Sequence, residues 1–250
     1  MKYCISGKSG FIGQAIEKYL IDKGHFVDGI PRDYLTGRLW SWLQLVTYFS
    51  FNKPDYIIHL ATYGNHYDYQ QDFRQMVETN IIGTYDLLET AKTTDYKVFY
   101  NFTASVISGD LYYITKNCAE MLTKKYDKVT NVRVYSAFGP GEAKHKFIPQ
   151  VISCLNSSNQ MIVDENATHA WIFIDDLVEA FFAGETELGG GKKTTNKEII
   201  LMLEDISGKK LNYIKGKVRN YDNDNWAVPK GVCYTSLYDG LKRTYEYYTK

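Results

Sequence analysis

CISGKSGFIGQAI, residues 4–16, sets three glycines, Gly7, Gly10 and Gly13, between an apolar run and a segment of helical spacing. Tyr3–Ser6 reads as a short strand. Phe11, Ile12, Ala15, Ile16, Tyr19 and Leu20 recur at the spacing of one helix face over Phe11–Lys23, and Gly24 stands where a helix commonly ends on a left-handed glycine. Glycines between a strand and a helix permit a tight turn. They also let backbone N–H groups approach a phosphate, whose charge the helix N-terminus favours. The glycines are separated by two residues each, not by one and then two as in the dinucleotide fingerprint, so a ligand-free turn is the alternative. The strand–turn–helix context favours the phosphate. On that reading Gly7, Lys8, Ser9, Gly10, Phe11, Ile12 and Gly13 bind a cofactor.

Working outward, strand-like and helix-like stretches keep alternating. Phe26–Ile30 is a second strand and Leu39–Phe51 a helix. Then follow Tyr56–Leu60 (strand), Phe73–Thr93 (long helix), Val98–Phe102 (strand), Leu111–Tyr126 (helix) and Asn131–Ala137 (strand). Apolar strands alternating with helices predict a parallel sheet covered on both faces. Beyond about residue 140 the pattern loosens to helices near 147–155, 176–184, 196–206 and 236–248. The expected fold is therefore α/β: a doubly wound parallel sheet over residues 1–139, with a smaller C-terminal substrate lobe over 140–250, in one domain of 250 residues.

Composition bounds the partners. The chain is 44% apolar and 23% charged with a formal net charge of zero. That is a globular balance, and it argues against nucleic acid or an anionic membrane surface as partner. Cys4, Cys118, Cys154 and Cys233 show neither zinc-type pairing nor the density of a disulfide framework. His25, His59, His66, His145 and His169 have no metal-ligand spacing, so no metal is expected. There is no signal-like segment and no apolar run long enough to span a bilayer, which leads to the expectation of a cytoplasmic, reduced protein. A G-x-S-x-G elbow is lacking, which removes an α/β-hydrolase.

Tyr112 and Lys116, in YYITK (112–116), are spaced to meet on one helix face. With the glycine loop, PDYIIHLAT (54–62), ETNIIGTYDLLETA (78–91), NFTAS (101–105), RVYSAFGPGE (133–142), FIPQVI (147–152) and IFIDDLVEA (172–180), the chain resembles the extended short-chain dehydrogenase/reductase family of nucleotide-sugar epimerases, dehydratases and reductases. The resemblance spans almost the whole chain and implies a Rossmann-type fold. It also implies that Tyr112 and Lys116 form the catalytic pair and that Ser105 hydrogen-bonds the reacting oxygen, with Thr103 second for that place. Leu60, Ala61 and Thr62 would line the cofactor, and Asn80 would be the structural, water-binding asparagine. A free tyrosine ionises near pH 10. The Lys116 ammonium and a positive nicotinamide would bring Tyr112 toward working pH. Tyr113 is the alternative proton donor.

Departures from the family sharpen the expectation. The acidic residue that accepts a ribose hydroxyl at the end of the second strand is replaced by Pro31, followed by Arg32. A guanidinium suits a 2′-phosphate, and Lys8 adds a charge, so NADP is expected. The alternative is NAD, with Asp33 on the ribose. About twenty residues from Arg32 to Pro54 leave room for a helix but hardly for a third strand. Val106 and Ile107 replace the Asp-Glu pair of dehydratases, which removes dehydration. His169 replaces the arginine with which relatives often hold the nucleotide diphosphate, and Ser136 replaces the asparagine of the R-x-x-N-x-Y-G-P-G block, which weakens nucleotide-sugar recognition; with Thr103 they are the candidate substrate-binding residues. The expected function is NADP-dependent reduction of a keto group on a nucleotide-linked deoxysugar. The alternatives are a nucleotide-sugar epimerase and a non-catalytic NADP-binding sensor. A homodimer is expected through helices 73–93 and 111–126, with Leu87, Leu88 and Met121 on their outward faces.

Overall fold

A computed structural model describes residues 1–35, 39–64, 72–104, 110–157, 159–216, 230 and 234–250. The chain divides into two compact units, Met1–Arg133 and Val134–Lys250.

The first unit holds β1 (Lys2–Ser6), α1 (Phe11–Asp22), β2 (Phe26–Ile30), a 3-10 turn (Arg32–Leu35), α2 (Leu39–Asn52), β3 (Tyr56–His59), α3 (Phe73–Met76), a π-helical segment (Val77–Ile82), α4 (Gly83–Ala91), β4 (Val98–Ala104), α5 (Leu111–Thr123) and β5 (Val129–Val134). Its strands lie in the order β5-β4-β3-β1-β2, and β1 to β4 pair in parallel. This is the predicted doubly wound sheet. In-register rows explain its double burial. Cys4, Ile57 and Phe99 are aligned neighbours, and Ile5 and Ile58 form the next row, whose side chains point to the opposite face. All five are fully buried. The first row packs with Leu45 and Phe49 of α2 and with Leu87, Leu88 and Ala91 of α4. Ile16 and Leu20 give α1 its buried stripe.

Between β2 and β3 the described residues contain the 3-10 turn and α2 but no strand, so β2 is the edge strand of this unit. On this strand the Gly29 amide N–H donates to Oδ1 of its neighbour Asp28 at 2.8 Å.

Three expectations about the elements are corrected. The helix predicted over 73–93 is interrupted by the π segment and ends at Ala91. Leu87 and Leu88, placed outward by the sequence reading, are fully buried in the core. The outer surface of this stretch carries Ile82 and Tyr85 instead, while Met121 on α5 is 59% exposed as expected. The strand predicted over 131–137 is two strands, because the chain leaves β5 at Val134 and enters β6 (Ser136–Phe138), which belongs to another sheet.

In the second unit β6 pairs in parallel with β9 (Trp171–Phe173). Here β7 (Met161–Val163) pairs with β12 (Tyr213–Lys215), and β8 (Thr168–His169) runs antiparallel to β11 (Thr194–Thr195). The remaining elements are α6 (Phe147–Ser157), α7 (Ile174–Phe182), β10 (Glu187–Leu188), α8 (Asn196–Ser207) and α9 (Leu237–Thr249). Its core is aromatic, with Phe138 edge-on to both Trp171 and Phe173. A capping box starts α8, with Thr195 and Glu198 each satisfying the other's backbone N–H. Asp175 and Asp176 sit in the first turn of α7, where they suit the helix dipole. Asp176 also accepts from the Thr235 amide and hydroxyl at 2.9 and 2.7 Å, and Asp175 pairs with Arg243 at 2.6 Å. Among the described residues no helix is long and apolar enough to cross a membrane.

Candidate active site

The glycine turn is built for close approach. Gly7 has φ +73°, and a Cβ there would stand 2.8 Å from the Ala61 amide nitrogen, so the turn leaving β1 rests directly on the chain leaving β3. A Cβ on Gly13 would collide with the Gly7 carbonyl oxygen and stand 2.7 Å from that of Lys8. The turn thus folds onto the first turn of α1. Gly10 is the N-cap of α1, with no side-chain cap and no acidic residue in the first turn. Uncapped amides at the positive end of a helix, beside a backbone free of side chains, fit the pyrophosphate of a dinucleotide.

Around this turn a buried polar chain pins the strand ends. Thr84 Oγ1 donates to the Asn80 carbonyl at 2.7 Å, so it accepts from His59 Nε2 at 2.9 Å. His59 Nδ1 is then the acceptor for the Ser6 hydroxyl at 2.6 Å, and Ser6 Oγ accepts the Ala61 amide N–H at 3.2 Å. Burial, with the Lys116 charge adding, pushes His59 down to about 3, consistent with this neutral tautomer. The chain joins the ends of β1 and β3 to the π segment. No local signal marked it, because Ser6, His59 and Thr84 lie far apart in sequence.

Asn80, in the π segment, is 2% exposed and uses its whole side chain. Its Oδ1 accepts from Thr62 Oγ1 at 3.0 Å and the Tyr63 amide at 2.7 Å, and its Nδ2 donates to the Tyr63 carbonyl at 2.9 Å and Thr115 Oγ1 at 3.0 Å. It clamps the loop after β3 to α5, the helix that carries Tyr112 and Lys116. The clamp was legible only as a family-type asparagine.

Asp110 caps α5, accepting the Tyr113 amide at 2.7 Å. Lys116 is 5% exposed and donates to the Phe102 carbonyl of β4 at 2.8 Å. Burial lowers it to about 8, and only the charge of Glu120 works the other way. Tyr112 hydrogen-bonds Thr62, which places its phenol at the loop after β3. The expected lowering of Tyr112 is not found. Burial pushes the phenol up, the Thr62 hydrogen bond opposes this, and Asp110 adds to it. Burial is the largest cause, and the protein groups alone do not deliver the lowering expected from Lys116 together with a positive nicotinamide.

Of the other residues singled out, Leu60 and Ala61 follow β3 directly, and Thr103 is buried on β4. Ser9 is exposed in the turn, and Phe11 and Ile12 open α1. Ser105 lies outside the described residues. Arg32 is exposed on the 3-10 turn after β2. Lys8 crosses Gly29 of β2 and pairs with Glu17 at 2.5 Å, so its charge is compensated within the protein. In the second unit Ser136 Oγ and His169 Nδ1 meet at 3.2 Å, which joins two of the candidate substrate residues. Among the described residues no His, Cys, Asp and Glu cluster suits a metal.

The sequence model of the NAD dependent epimerase/dehydratase family matches residues 3–193. CDP-abequose synthase of Salmonella typhimurium is 26% identical over 259 aligned positions, covering 88% of this chain and 86% of that protein. UDP-glucuronate 4-epimerase of Thermodesulfobacterium geofontis is 26% identical over 304 positions, covering 97% and 94%. Among solved structures, UDP-glucuronic acid 4-epimerase from Bacillus cereus in complex with UDP-glucuronic acid and NAD matches with a TM-score of 0.84 at 24% identity, covering 100% of this chain and 99% of that one. At that identity the likeness is one of fold.

Proposed function

The chain belongs to the NAD dependent epimerase/dehydratase family, and from that premise we propose that it reduces a keto group on a nucleotide-linked deoxysugar with NADPH. The observation that carries this reading is the Tyr112–Lys116 pair on α5, with Lys116 buried and Tyr112 bonded to Thr62 beside the glycine turn. A bound nicotinamide dinucleotide would supply the hydride. Gly7, Gly10 and Gly13 would receive its pyrophosphate on the amides opening α1. Tyr112, whose phenol the protein holds in its protonated form, would give that proton to the carbonyl oxygen of the sugar. Lys116 spends one of its ammonium protons on the Phe102 carbonyl, which leaves the others for the cofactor ribose and for stabilising phenolate. Thr103, with Ser105, would orient the reacting oxygen, and Ser136 with His169 would meet the nucleotide part of the substrate.

Three features support parts of this reading: one argues against dehydration, one for NADPH and one for a nucleotide-linked sugar. Val106 and Ile107 stand where dehydratases have their acid pair. The end of β2 carries no carboxylate, and exposed Arg32 follows it. A relative over most of the chain is a CDP-abequose synthase, by its name an enzyme of a nucleotide-linked sugar. Because Lys8 is tied to Glu17, discrimination for the 2′-phosphate rests on Arg32. NADPH should bind at least ~10-fold more tightly than NADH, a difference of about 1.4 kcal/mol. Arg32→Asp should reverse the preference, and equal affinities in the parent would remove the NADP assignment.

The second reading is an epimerase, favoured by UDP-glucuronate 4-epimerases among both the sequence and the structural relatives. The same residues would move the proton both ways. Purified protein decides between them. A cofactor-free near-ultraviolet spectrum together with NADPH consumption on a panel of nucleotide 4-keto-sugars supports the reductase. Tightly carried cofactor and no net consumption supports the epimerase.

A further inference from the structure

On α5 the residues Tyr112, Lys116 and Glu120 recur every four positions and so share one helix face. Glu120 is 7% exposed, and its Oε1 accepts from Arg133 Nη2 of β5 at 2.5 Å. The end of the helix is fixed nearby: Thr123 Oγ1 lies 2.6 Å from the Glu120 carbonyl and 3.0 Å from Asn131 Oδ1, its one hydroxyl proton shared between them, and Asn131 Oδ1 accepts from Asn101 Nδ2 at 2.8 Å. Glu120 is therefore a carboxylate in a nearly dry place, on a rigid element, one turn from a buried lysine. A buried charge is costly unless an opposite charge compensates it. Arg133 compensates Glu120 on one side, while Lys116 lies along the helix on the other.

The groups around Lys116 leave Glu120 as the source of negative charge among the described residues. From β3 comes His59, which is neutral. From β4 comes the uncharged Phe102 carbonyl. The Glu120 carboxylate is itself bound to Arg133 of β5, which is positive. The helix itself adds the neutral Tyr112 phenol and the Glu120 carboxylate.

We infer that Glu120, which shares its charge with Arg133, is a positioning residue that keeps Lys116 in its ammonium form inside the buried site. The inference rests on the reading of Tyr112 and Lys116 given above, since holding a ribose and stabilising phenolate both need the charged lysine. With burial already bringing Lys116 to about 8, loss of the Glu120 charge would carry its proton equilibrium into the neutral range. Removing Arg133 has the opposite electrostatic effect, because a positive charge leaves and the carboxylate acts on Lys116 undivided. An ion pair that serves only to hold β5 against α5 predicts otherwise: both substitutions break the same contact and act alike.

The test is an NMR titration of the full chain carrying ¹³C at lysine Cε, with the Lys116 signal identified by its loss in Lys116→Met. The expected midpoint of the parent is near 8. Glu120→Gln should lower it by about one pH unit, a ten-fold change in proton affinity. Arg133→Gln should raise it, and the double variant should return toward the parent. Glu120→Asp, which keeps the charge, should stay closest to the parent, and it serves as the comparison if Glu120→Gln fails to fold. The inference is overturned if Glu120→Gln leaves the midpoint in place, or if Glu120→Gln and Arg133→Gln move it in the same direction. NADPH and NADH affinities of the same variants at pH 6 and pH 8 separate the inference from its premise. Glu120→Gln should lose affinity selectively at pH 8. If the Lys116 midpoint moves as stated and affinity does not follow, the coupling stands and the assignment of Lys116 to the cofactor falls.

Discussion

Gly7 and Gly24 form a matched pair whose replacement by alanine isolates the contact on which the glycine turn depends. Their φ angles are nearly equal, +73° and +75°, so a methyl group carries the same backbone strain at both. Their surroundings differ. A Cβ on Gly24 meets nothing within 4 Å, whereas on Gly7 it stands 2.8 Å from the Ala61 amide nitrogen and 3.1 Å from the Ala61 Cα. Left-handed backbone costs an L-residue about 1–2 kcal/mol, and the stiffer unfolded chain returns about 0.4–1 kcal/mol. Gly24→Ala should therefore destabilise by about 1 kcal/mol. Gly7→Ala should add about 1–3 kcal/mol of overpacking, since the obstructing atoms are backbone and cannot rotate away. At about 2–4 °C per kcal/mol for a chain of this size, the melting temperatures of the two variants should differ by about 2–12 °C. Calorimetric titration with NADPH completes the test: Gly24→Ala should bind like the parent, and Gly7→Ala at least ~10-fold more weakly. If the two variants melt together and both bind like the parent, the turn neither packs on Ala61 nor receives the cofactor.

Tyr112→Phe should keep the fold and cofactor affinity while turnover falls about 100-fold or more, the range for losing a positioned general acid; if Tyr113→Phe loses activity and Tyr112→Phe does not, the assignment is off by one residue. Lys116 makes a pH prediction whose sign follows from its lowered value of about 8. Below that pH the lysine is charged in both states and its burial cost is fully present. Between about 8 and its ordinary value near 10.4 the unfolded chain binds the proton that the folded chain has released, so this group makes stability rise with pH. Urea melts of the parent and Lys116→Met across pH 7–10 should show that rise in the parent alone; parallel curves would contradict a buried ammonium. The exposed apolar side chains of Ile82, Tyr85, Ile114 and Met121 lead us to predict a homodimer through this surface. Light scattering at micromolar concentration should give twice the chain mass, and Tyr85→Glu with Ile114→Glu should give a monomer; a monomeric parent refutes the idea.

What was legible in the sequence follows from how far apart the interacting residues stand. The parallel sheet could be read because each strand announces itself within five or six residues and each glycine sits at a boundary. Tyr112 and Lys116 could be paired because one helical turn separates them, and the same spacing, continued to Glu120, pointed to a third member that the reading passed over. The outward placement of Leu87 and Leu88 failed for a different reason. It assumed an unbroken α-helix from Phe73, whereas the π segment at Val77–Ile82 inserts an extra residue per turn. One inserted residue rotates everything after it by about 100° relative to an uninterrupted helix. That rotation is compatible with what is observed, the two leucines in the core with Phe49 and Phe99 and Tyr85 at the surface. The composition of VETNII does not mark the insertion: Val, Thr, Asn and Ile are weaker helix formers than Ala or Leu, but they occur in ordinary helices as well. The segment is tied into the tertiary structure: Asn80 sits within it and has all four of its side-chain bonds satisfied by Thr62, Tyr63 and Thr115, before and after it in the chain. The π segment and the clamp are one feature. The backbone irregularity that hid the helix face from the sequence is the same one that holds the Asn80 amide against the loop beside Tyr112, and a substitution such as Asn80→Leu would be felt at both places together.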